Sequence, residues 1–406
     1  MNAKPIRVLY SFPNKLGGAR ICYTAWQQVN GLAAAGAEVL ACPASTCRPV
    51  PPEVSLRPTL ARGGIRIPFK LLGNGRAHLL HDSIVARRVE KMAGKVDIIH
   101  VWPSGARRTL EAAARVGIPT ILERCSAHTR YAYEVVQRES ERLGVTLRLR
   151  DDGAFNEAVL RHEEEEFRLA DRLLCPSDFV VQTFLDRGFS LDRLPRHIYG
   201  IDEKAYYPAP DYRPNSAGLR MLFVGYCAVG KGLHYALEAW LKSSAHEKGT
   251  FTIAGQFMPD YQNKLASLLS HPSVRVLGHR NDVPDLMRNS DVLVLPSLQE
   301  GFGLVCTEAM GSGCVPLVSN ACTDFCKHMQ NALVHRMGDV AALAEHVSLL
   351  DRDRVLLQDL RTAGLKLRDS LTWNAAGVKL LEVYRETIDL HSQRTKQEHP
   401  SSLLAV

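Results

Sequence analysis

The sequence predicts an α/β protein made of two doubly wound parallel-sheet domains whose strand ends face a common cleft. Short apolar runs alternate with amphipathic helical patterns along the chain, as in sheets whose parallel strands are joined by helical crossovers. Several of these runs are continuous and β-branched, which is typical of strands buried on both faces. The 406 residues also exceed what one hydrophobic core usually accommodates.

The strand candidates fall into two series that are separated by a proline-rich stretch, 199–218. We therefore predict a first domain over 1–202, a linker over 203–218 and a second domain over 219–371. An amphipathic helix over 372–391 and a polar tail over 392–406 would follow. The strand candidates are 6–12, 38–44, 97–103, 119–125 and 171–177 in the first series, and 219–226, 249–255, 274–279, 291–297 and 314–320 in the second.

Composition favours a cytoplasmic protein. Apolar residues make up 46% of the chain and charged residues 23%, and no apolar run is long enough for a transmembrane helix. The N-terminus enters a strand-like run directly and lacks the features of a signal peptide. Ten cysteines occur without a Cys-x-x-Cys pair, so we expect free thiols in a reducing compartment.

Positive charge is concentrated in the first half of the chain. Residues 57–95 hold nine Lys and Arg against two Asp and Glu. Within 78–95, one stripe of the predicted helix is apolar, formed by Leu80, Ile84, Val85, Val89 and Met92. The rest of the helix surface carries the basic side chains Arg87, Arg88, Lys91 and Lys95. One interpretation is a helix that packs on a sheet and exposes a basic face. The other is contact with an anionic membrane surface.

The segment 296–316 joins a buried strand to a short helix through the loop "LQEGFG". Gly301 and Gly303 allow a sharp turn and a close approach to a ligand. The amides at 302–304 would form an anion site at the positive end of the helix dipole. Glu308, one turn into the helix, suits a ribose diol, and Glu300 suits a second polyol. Together these features predict a site for a nucleotide sugar, although Glu300 could instead be solvated and Glu308 could simply favour the helix dipole.

This segment resembles the donor-binding motif of retaining glycosyltransferases of family 4, also called group 1, which have the GT-B fold. The resemblance rests on Glu300, the Gly-Phe-Gly that follows it, Glu308-Ala309 and the Gly-x-Val-Pro strand entry at 313–316. Similar matches occur at 175–202, 223–240, 274–297 and 371–384. The similarity is strong over about 170–390 and weaker before that. It implies the GT-B architecture, in which the closing helix packs back on the first domain.

The resemblance also implies residue roles at the donor site. Glu300 and the backbone of Gly301, Phe302, Gly303 and Leu304 would hold the transferred sugar, and Glu308 would bind the ribose. Lys231 would contact the diphosphate and stabilise it as it leaves. The family usually places an arginine near position 226, where this chain has Tyr226. His279 or Arg280 would border the nucleotide base.

In the first domain the signals are weaker. Gly17 and Gly18 fit the family's flexible loop near the diphosphate and the acceptor, although a plain turn is an alternative. A histidine after the fourth or fifth strand is often functional in the family, so we predict that His128 contributes to catalysis. Packing or capping is the alternative for His128, and we interpret His100 as structural. The acidic run 161–167 is predicted to be a solvated helix face.

The resulting prediction is a retaining glycosyltransferase that uses a UDP-, GDP- or ADP-sugar donor and a glycan or lipid-linked acceptor, in the synthesis of cell-surface polysaccharide or glycoconjugate. No metal or other cofactor is expected, and no nucleic acid partner, since basic and aromatic residues are not interleaved. A nucleotide-sugar epimerase of the same fold and a non-catalytic nucleotide-sugar-binding scaffold remain alternatives.

Overall fold

Strands and helices alternate along the computed structural model, which describes residues 4–62, 65–66, 73–210, 212 and 218–398. All ten predicted strands are confirmed within a few residues. The strands are β1 (Arg7–Leu16), β2 (Glu38–Thr46), β3 (Ser55–Leu56), β4 (Ala61–Arg62), β5 (Ile65–Arg66), β6 (Ile98–Val101), β7 (Thr120–Glu123), β8 (Arg172–Leu174), β9 (Arg220–Val224), β10 (Thr250–Ala254), β11 (Val274–Gly278), β12 (Val292–Leu295), β13 (Val315–Ser319) and β14 (Leu333–His335). The four that the sequence patterns did not indicate are two or three residues long, too short to show a period.

Helices connect these strands. They are α1 (Ile21–Ala34), α2 (Asn74–Val89), α3 (Arg107–Val116), α4 (Thr129–Leu143), α5 (Glu157–Leu169), α6 (Asp178–Leu185), α7 (Leu233–Lys242), α8 (Pro259–Lys264), α9 (Ala266–Leu269), α10 (Val283–Arg288), α11 (Leu304–Ser312), α12 (Val340–Arg352), α13 (Arg354–Leu365) and α14 (Trp373–Glu398). No helix in the described ranges is both long enough and apolar enough to cross a bilayer.

Two six-stranded parallel sheets form the cores. Their strand orders are β3-β2-β1-β6-β7-β8 and β11-β10-β9-β12-β13-β14. Both follow the doubly wound order in which the direction of winding reverses beside the first strand. The reversal lies between β1 and β6 in the first sheet and between β9 and β12 in the second. Ligands bind at the carboxyl ends of strands at such a point, so the topology selects the loops after these four strands.

The chain crosses between the sheets twice, and the two crossings touch. The amide of Ile201 donates to the carbonyl of Leu371 over 2.7 Å. A Cβ on Gly200 would lie 2.3 Å from the backbone nitrogen of Trp373, so a side chain at this position would push the two crossings apart. Backbone contact at this point ties the end of the first domain to the start of α14.

Helix α14 packs on the first domain, against α1. The two backbones approach so closely that a Cβ on Gly377 would meet the carbonyl of Gly31 at 2.3 Å. Tyr384 then reaches His100 in the sheet core, 2.6 Å from its Nδ1. The helix continues to Glu398, seven residues beyond its predicted end, and residues 399–406 lie outside the described ranges.

The basic segment 57–95 is only partly described, since 63–64 and 67–72 fall outside the described ranges. Its helix is α2, which packs on α3. Arg88 donates to the carbonyls of Arg57 and Pro58, so this side chain holds a loop rather than facing outward. Leu80 was predicted to lie in the apolar stripe but is 38% exposed. Arg87, by contrast, is exposed.

Helix α4 of the first domain reaches into the second. Val136 is 2% exposed and belongs to the apolar core of the second domain. Near the end of the helix, Glu139 accepts hydrogen bonds at 2.8 Å from His234 and at 2.6 Å from Tyr235. These contacts place α4 directly beside the loop that follows β9.

Candidate active site

The two loops at the reversal point of the second sheet bring Lys231 and Glu300 together. Lys231 lies in a one-turn 3-10 helix after β9, and Glu300 lies in the loop after β12. Since β9 and β12 are neighbours in the sheet, their carboxyl ends open at the same edge. Lys231 Nζ lies 2.5 Å from Glu300 Oε2. These residues are 69 positions apart in the sequence, and the parallel pairing of β9 and β12 brings them together in space.

Tight backbone contacts fix both loops. The amide of Leu298 donates to the carbonyl of Gly230 over 2.9 Å. Gly232 has a φ of +68°, and a Cβ there would lie 2.1 Å from the carbonyl oxygen of Pro296. This position therefore requires glycine for its conformation and for its proximity to the neighbouring loop. The ion pair is held by preorganised backbone rather than by two free side chains.

The ion pair is largely shielded from solvent. The side chains of Lys231 and Glu300 are 25% and 14% exposed, which removes the interpretation of Glu300 as a solvated loop residue. Burial acts to lower the pKa of Lys231, but the Glu300 carboxylate outweighs it and the pKa is raised. Ser297 Oγ also donates to Glu300, over 3.2 Å. The amide of Gly301 donates to the other carboxylate oxygen, over 3.4 Å. Lys231 is thus a fixed cation, and Glu300 is a fixed acceptor with two further partners.

The glycine loop presses against the first domain. A Cβ on Gly301 would lie 1.9 Å from the carbonyl oxygen of Cys125, and Ser177 Oγ donates to the carbonyl of Gly301 over 2.6 Å. Phe302 was predicted to contribute its backbone to the donor site, and its side chain is 2% exposed and packs edge-on against Tyr199. Only the backbone of Phe302 is left for a ligand.

Helix α11 begins immediately after Gly303, whose φ is +71°. Among the described residues, no acceptor pairs with the amides of Phe302, Gly303 and Leu304. Unpaired amides at the start of a helix carry the positive end of its dipole. This geometry is what the predicted anion site requires, and anion binding there stays a prediction.

Glu308 lies on α11, partly exposed beside Tyr206 of the linker. Burial raises the pKa of Glu308 to about 7, and a hydrogen bond with Tyr206 opposes that rise. A carboxyl group with this pKa is present in both protonation states near neutral pH. When ionised, the carboxylate can accept hydrogen bonds from both hydroxyls of a diol. When protonated, it is less able to accept both.

Tyr226 occupies the place where the family usually has arginine, and an arginine from the other domain lies over it. The guanidinium carbon of Arg20 is 6.0 Å from the centre of the Tyr226 ring. Arg20 is exposed and has an unusual φ of 56° at the start of α1. Asp151 and Asp152, from the loop between α4 and α5, also act on the pKa of Tyr226, which burial raises. The first domain therefore supplies charges of both signs beside Tyr226.

The glycine pair of the first domain shapes its loop. Gly17 has a φ of +84°, and its amide donates to the carbonyl of Cys22 over 2.9 Å. The amide of Gly18 donates to the carbonyl of Lys15 over 3.2 Å. Both amides have partners within the loop. The proximity of Arg20 to Tyr226 shows that this loop lies at the cleft. The donor-binding role of Gly17 and Gly18 stays a prediction.

His128 has the contacts of a packing and capping residue, which was the alternative to its predicted catalytic role. It is 2% exposed and caps α4, with its Nδ1 accepting from the amide of Arg130 over 3.2 Å. Its ring packs against Phe167 and Phe184. Burial, together with nearby arginines, lowers the pKa of His128 to about 3. These contacts are those of a neutral capping residue, and they do not join His128 to Lys231 or Glu300.

His100 is fully buried, as its structural interpretation requires. It lies between Tyr384 and Glu123, with its Nε2 3.4 Å from the Glu123 carboxylate. Burial lowers the pKa of His100 despite this acidic neighbour. His100 is thus part of the core of the first domain, as predicted.

The predicted base-contacting residues lie after β11, two strands away from the reversal point. His279 and Arg280 are exposed. Arg280 pairs with Asp282 at 2.6 Å, so its charge is already matched. Contact with a base stays a prediction for both residues.

The acidic run 161–167 is an ion-pairing element, which corrects its prediction as a solvated face. Glu164 forms a two-bond pair with Arg130, both bonds at 2.9 Å, and Glu165 pairs with Arg107 at 2.7 Å. Glu166 is 0% exposed and accepts from the amides of Ser104 and Ala106. Helical periodicity did not show these partners, because they come from other elements.

Sequence reasoning missed several residues around the site. Tyr206, Ser177, Ser297 and Arg20 contact its predicted members from the linker, from the first domain or from the same loop. Ser297 could have been found, since it stands three residues before Glu300. The others carry no local signal, because only the packing of the two domains brings them near.

A known family matches the second domain, and several curated proteins match half of the chain or more. The profile of the family described as glycosyl transferases group 1 matches residues 218–353. Glycogen synthase of Mycobacterium tuberculosis is 30% identical over 246 residues, which covers 57% of this chain and 58% of that protein. The chain thus spans less than two thirds of that relative. An Escherichia coli protein named UDP-Gal:alpha-D-GlcNAc-diphosphoundecaprenol alpha-1,3-galactosyltransferase is 26% identical over 282 residues, covering 64% of this chain and 68% of its own length.

Solved structures match nearly the whole chain at low identity. Sucrose-phosphate synthase from Thermosynechococcus elongatus has a TM-score of 0.68 at 17% identity, covering 95% of this chain and 100% of that one. Anabaena HepE in complex with UDP has a TM-score of 0.63 at 16% identity, covering 94% and 99%. These likenesses concern the fold, and they confirm the predicted GT-B architecture of two facing α/β domains. The match to the group 1 glycosyltransferase profile and the named relatives support a glycosyltransferase related to that group.

Proposed function

We propose that the protein is a retaining glycosyltransferase of family 4 that moves a sugar from a nucleoside diphosphate donor to an acceptor hydroxyl. The observation that supports this best is the Lys231–Glu300 pair, held at 2.5 Å beside the unpaired amides at the start of α11. A cation, a carboxylate and an anion-binding helix terminus then meet at one reversal point. A nucleotide sugar presents a diphosphate and two polyols, which match these three groups.

Each group has a distinct task in the proposed reaction. The bond between the sugar's anomeric carbon and the diphosphate oxygen breaks, and the acceptor oxygen bonds to that carbon on the same face. Lys231 and the amides at 302–304 stabilise the charge that develops on the leaving diphosphate. Glu300 faces the sugar as it becomes cationic. The departing phosphate accepts the proton of the acceptor hydroxyl, and the protein contributes position and electrostatics.

Arg20 would supply the second cation that Tyr226 does not. It lies on the other side of the cleft, over the Tyr226 ring. In this arrangement, stabilisation of the leaving group requires both domains, because Lys231 comes from the second and Arg20 from the first. Tyr226 adds one neutral hydrogen-bond donor in place of a charged fork.

A UDP-sugar is the first donor to test, since the galactosyltransferase relative is named for UDP-Gal and HepE was solved with UDP. A lipid-linked acceptor is favoured for the same reason, because the name of that relative includes diphosphoundecaprenol. We propose no metal and no other cofactor, a cytoplasmic site of action, and contact with an anionic membrane through exposed side chains of 57–95 such as Arg87. If this contact exists, association with anionic vesicles will weaken as salt rises, because screening shortens the reach of exposed charges.

The experiment that tests the function is donor turnover by the purified protein with UDP-, GDP- and ADP-sugars, with and without acceptors. Transfer or slow donor hydrolysis by the wild type supports the proposal. The absence of both, together with tight binding of UDP, would support the scaffold alternative instead. Conversion of the donor to an isomer without any acceptor would support the epimerase.

Glu300→Gln is the most informative variant for this proposal. The amide can still accept from Lys231 or Ser297, so we expect a melting temperature close to that of the wild type. Transfer should fall by roughly 100- to 1,000-fold, because the charge that faces the cationic transition state is lost. Gln299→Glu is a matched control, since it places a carboxylate one position away in the same loop and should not rescue Glu300→Gln. A folded Glu300→Gln protein with wild-type transfer would exclude Glu300 from the chemistry.

A further inference from the structure

The first domain contains a cavity of about 570 Å³ that is lined by four arginines and one carboxylate. It is formed by the start of α4, by α5 and by the segment 187–193 that follows α6, and neither Lys231 nor Glu300 lines it. Its volume falls within the usual range for small-molecule sites. The lining residues are His128, Arg130, Glu164, Arg168, Arg187, Gly188, Phe189, Ser190 and Arg193. We call this cavity the arginine pocket.

The positive charge of the arginine pocket is only partly matched. Arg130 is paired with Glu164, and Arg187 is paired with Glu134 at 2.7 Å. Arg193 donates only to backbone carbonyls, those of 167, 168, 170 and 171. Arg168 makes one hydrogen bond, to the carbonyl of Glu164. Among the described residues, neither Arg168 nor Arg193 has a carboxylate within ion-pair distance.

Two further groups in the wall are suited to an anion. The Nε of Arg187 is buried and has no hydrogen-bond partner among the described residues. His128 accepts at Nδ1 from the amide of Arg130, so the neutral ring carries its proton on Nε2 and can donate from there. The arginines that lower the pKa of His128, Arg124, Arg187 and Arg130, show that the local field is positive.

Phosphate is the ligand chemistry that fits this wall. Guanidinium groups bind phosphate through two parallel hydrogen bonds, and several of them can share its three oxygens. Phe189 provides an apolar surface in the same cavity, suited to the organic part of a phosphorylated molecule. A simple carboxylate would use fewer of these donors.

Helix α4 connects the arginine pocket to the donor loop. Arg130 stands in its first turn, and Glu134 follows one turn later. Further along, a methyl carbon of Val136 would lie 3.1 Å from a Cβ on Gly230, the residue before Lys231. Glu139 holds His234 and Tyr235, which open α7 directly after that loop. One continuous helix therefore contacts both places.

We propose that the arginine pocket binds the phosphate group of a ligand other than the sugar donor, and that α4 couples its occupancy to the loop that holds Lys231. The binding half goes beyond the proposed function and does not depend on it. The coupling half rests on the proposed function, because it requires UDP to bind beside Lys231. The two halves are measured separately.

The binding half is tested with inorganic phosphate and the full chain by calorimetry, with Lys231→Ala as a second background so that phosphate bound at the donor site is recognised. Arg168→Glu should weaken phosphate binding by roughly 10- to 100-fold, because it removes a charged hydrogen bond and reverses a charge. Arg115→Glu is the matched control, since Arg115 is exposed on α3 outside the pocket. Arg168→Gln, with unchanged melting, separates loss of binding from loss of folding. Equal affinity in Arg168→Glu and the wild type would overturn the proposal.

Two sources of the phosphate group are distinguished with vesicles of phosphatidylcholine with and without phosphatidylglycerol. Binding of free phosphate that Arg168→Glu abolishes identifies a small-molecule site. Binding only to anionic vesicles, lost in Arg168→Glu and kept in Arg115→Glu, identifies a lipid headgroup. If neither free phosphate nor vesicles bind in an Arg168-dependent way, the pocket does not bind phosphate.

The coupling half is tested by measuring UDP affinity with and without saturating phosphate. We expect a change of about fivefold or more, and the same factor when phosphate affinity is measured with and without UDP. Phosphate binding with unchanged UDP affinity would overturn the coupling and leave the binding half standing. Absence of UDP binding under all conditions would instead count against the proposed function.

Discussion

The two sides of the cleft contribute to the candidate site in different ways. On the second domain, Lys231 and Glu300 are fixed by contacts within one sheet and its two loops, with Gly232 against Pro296 and Leu298 bonded to Gly230. On the first domain, Arg20 reaches the site only across the gap between domains, where it lies 6.0 Å from the centre of the Tyr226 ring. The second domain thus has a preorganised site, and the first domain completes it only when the domains pack.

The largest effect should come from breaking the preorganised side. Lys231→Ala removes the fixed cation that we propose stabilises the leaving diphosphate, and we expect turnover to fall by roughly 100- to 1,000-fold. Lys242→Ala is the control, because Lys242 is exposed at the far end of the following helix. The measurement is kcat with saturating donor. Turnover within a few-fold of the wild type would mean that another cation stabilises the leaving group.

Loss of Glu308 should affect binding more than chemistry. Its proposed partner is a ribose diol, which is the same in the ground and transition states, so the loss appears mainly in the donor KM. We expect Glu308→Ala to raise that KM by roughly 10- to 100-fold, the equivalent of hydrogen bonds to a charged group. A kinetic series over donor concentration checks this. An unchanged KM would remove Glu308 from the ribose role.

A smaller effect is expected from the side that depends on domain packing. Arg20→Ala should lower turnover by about tenfold, since Arg20 is exposed and its interaction with the donor is weakened by solvent. Adding Tyr226→Arg to this variant should recover part of the loss, because it puts a cation back on the preorganised side. If Arg20→Ala has no effect and Tyr226→Arg raises turnover on its own, the first domain does not supply the cation.

The smallest effect concerns stability and pH. Burial raises the pKa of Glu308 to about 7 from its ordinary value of 4.5, so the folded chain binds more protons than the unfolded chain between these pH values. The free energy of unfolding should therefore fall as pH rises from about 4.5 to 7, by roughly 1–3 kcal/mol from this group. Denaturant titrations of Glu308→Gln and the wild type at pH 5 and pH 8 measure the difference, which should be larger at pH 8. An equal difference in the free energy of unfolding at pH 5 and pH 8 would contradict the raised pKa of Glu308.

The architecture, and the residues proposed for the second-domain half of the site, could be predicted from the amino-acid sequence. Strands such as the one predicted at 291–297 could be identified because parallel strands that are buried on both faces appear as continuous apolar runs. Lys231, Glu300 and Glu308 could be named because each lies in the loop or helix that directly follows a predicted strand, at a spacing that matches the family motif. Local chemistry was enough wherever a residue and the backbone that positions it are close in sequence.

The contacts between side chains far apart in the chain could not be predicted from the sequence. His128 and the run 161–167 could be ranked only by their partners, which turned out to be a helix end, aromatic rings and arginines from other elements. Arg20 became a candidate because the domains pack. The arginine pocket exists because α4, α5 and the segment after α6 bring four separate arginines to one cavity. Periodicity reports which face of an element is buried, and it carries no information about which distant side chain that face will meet.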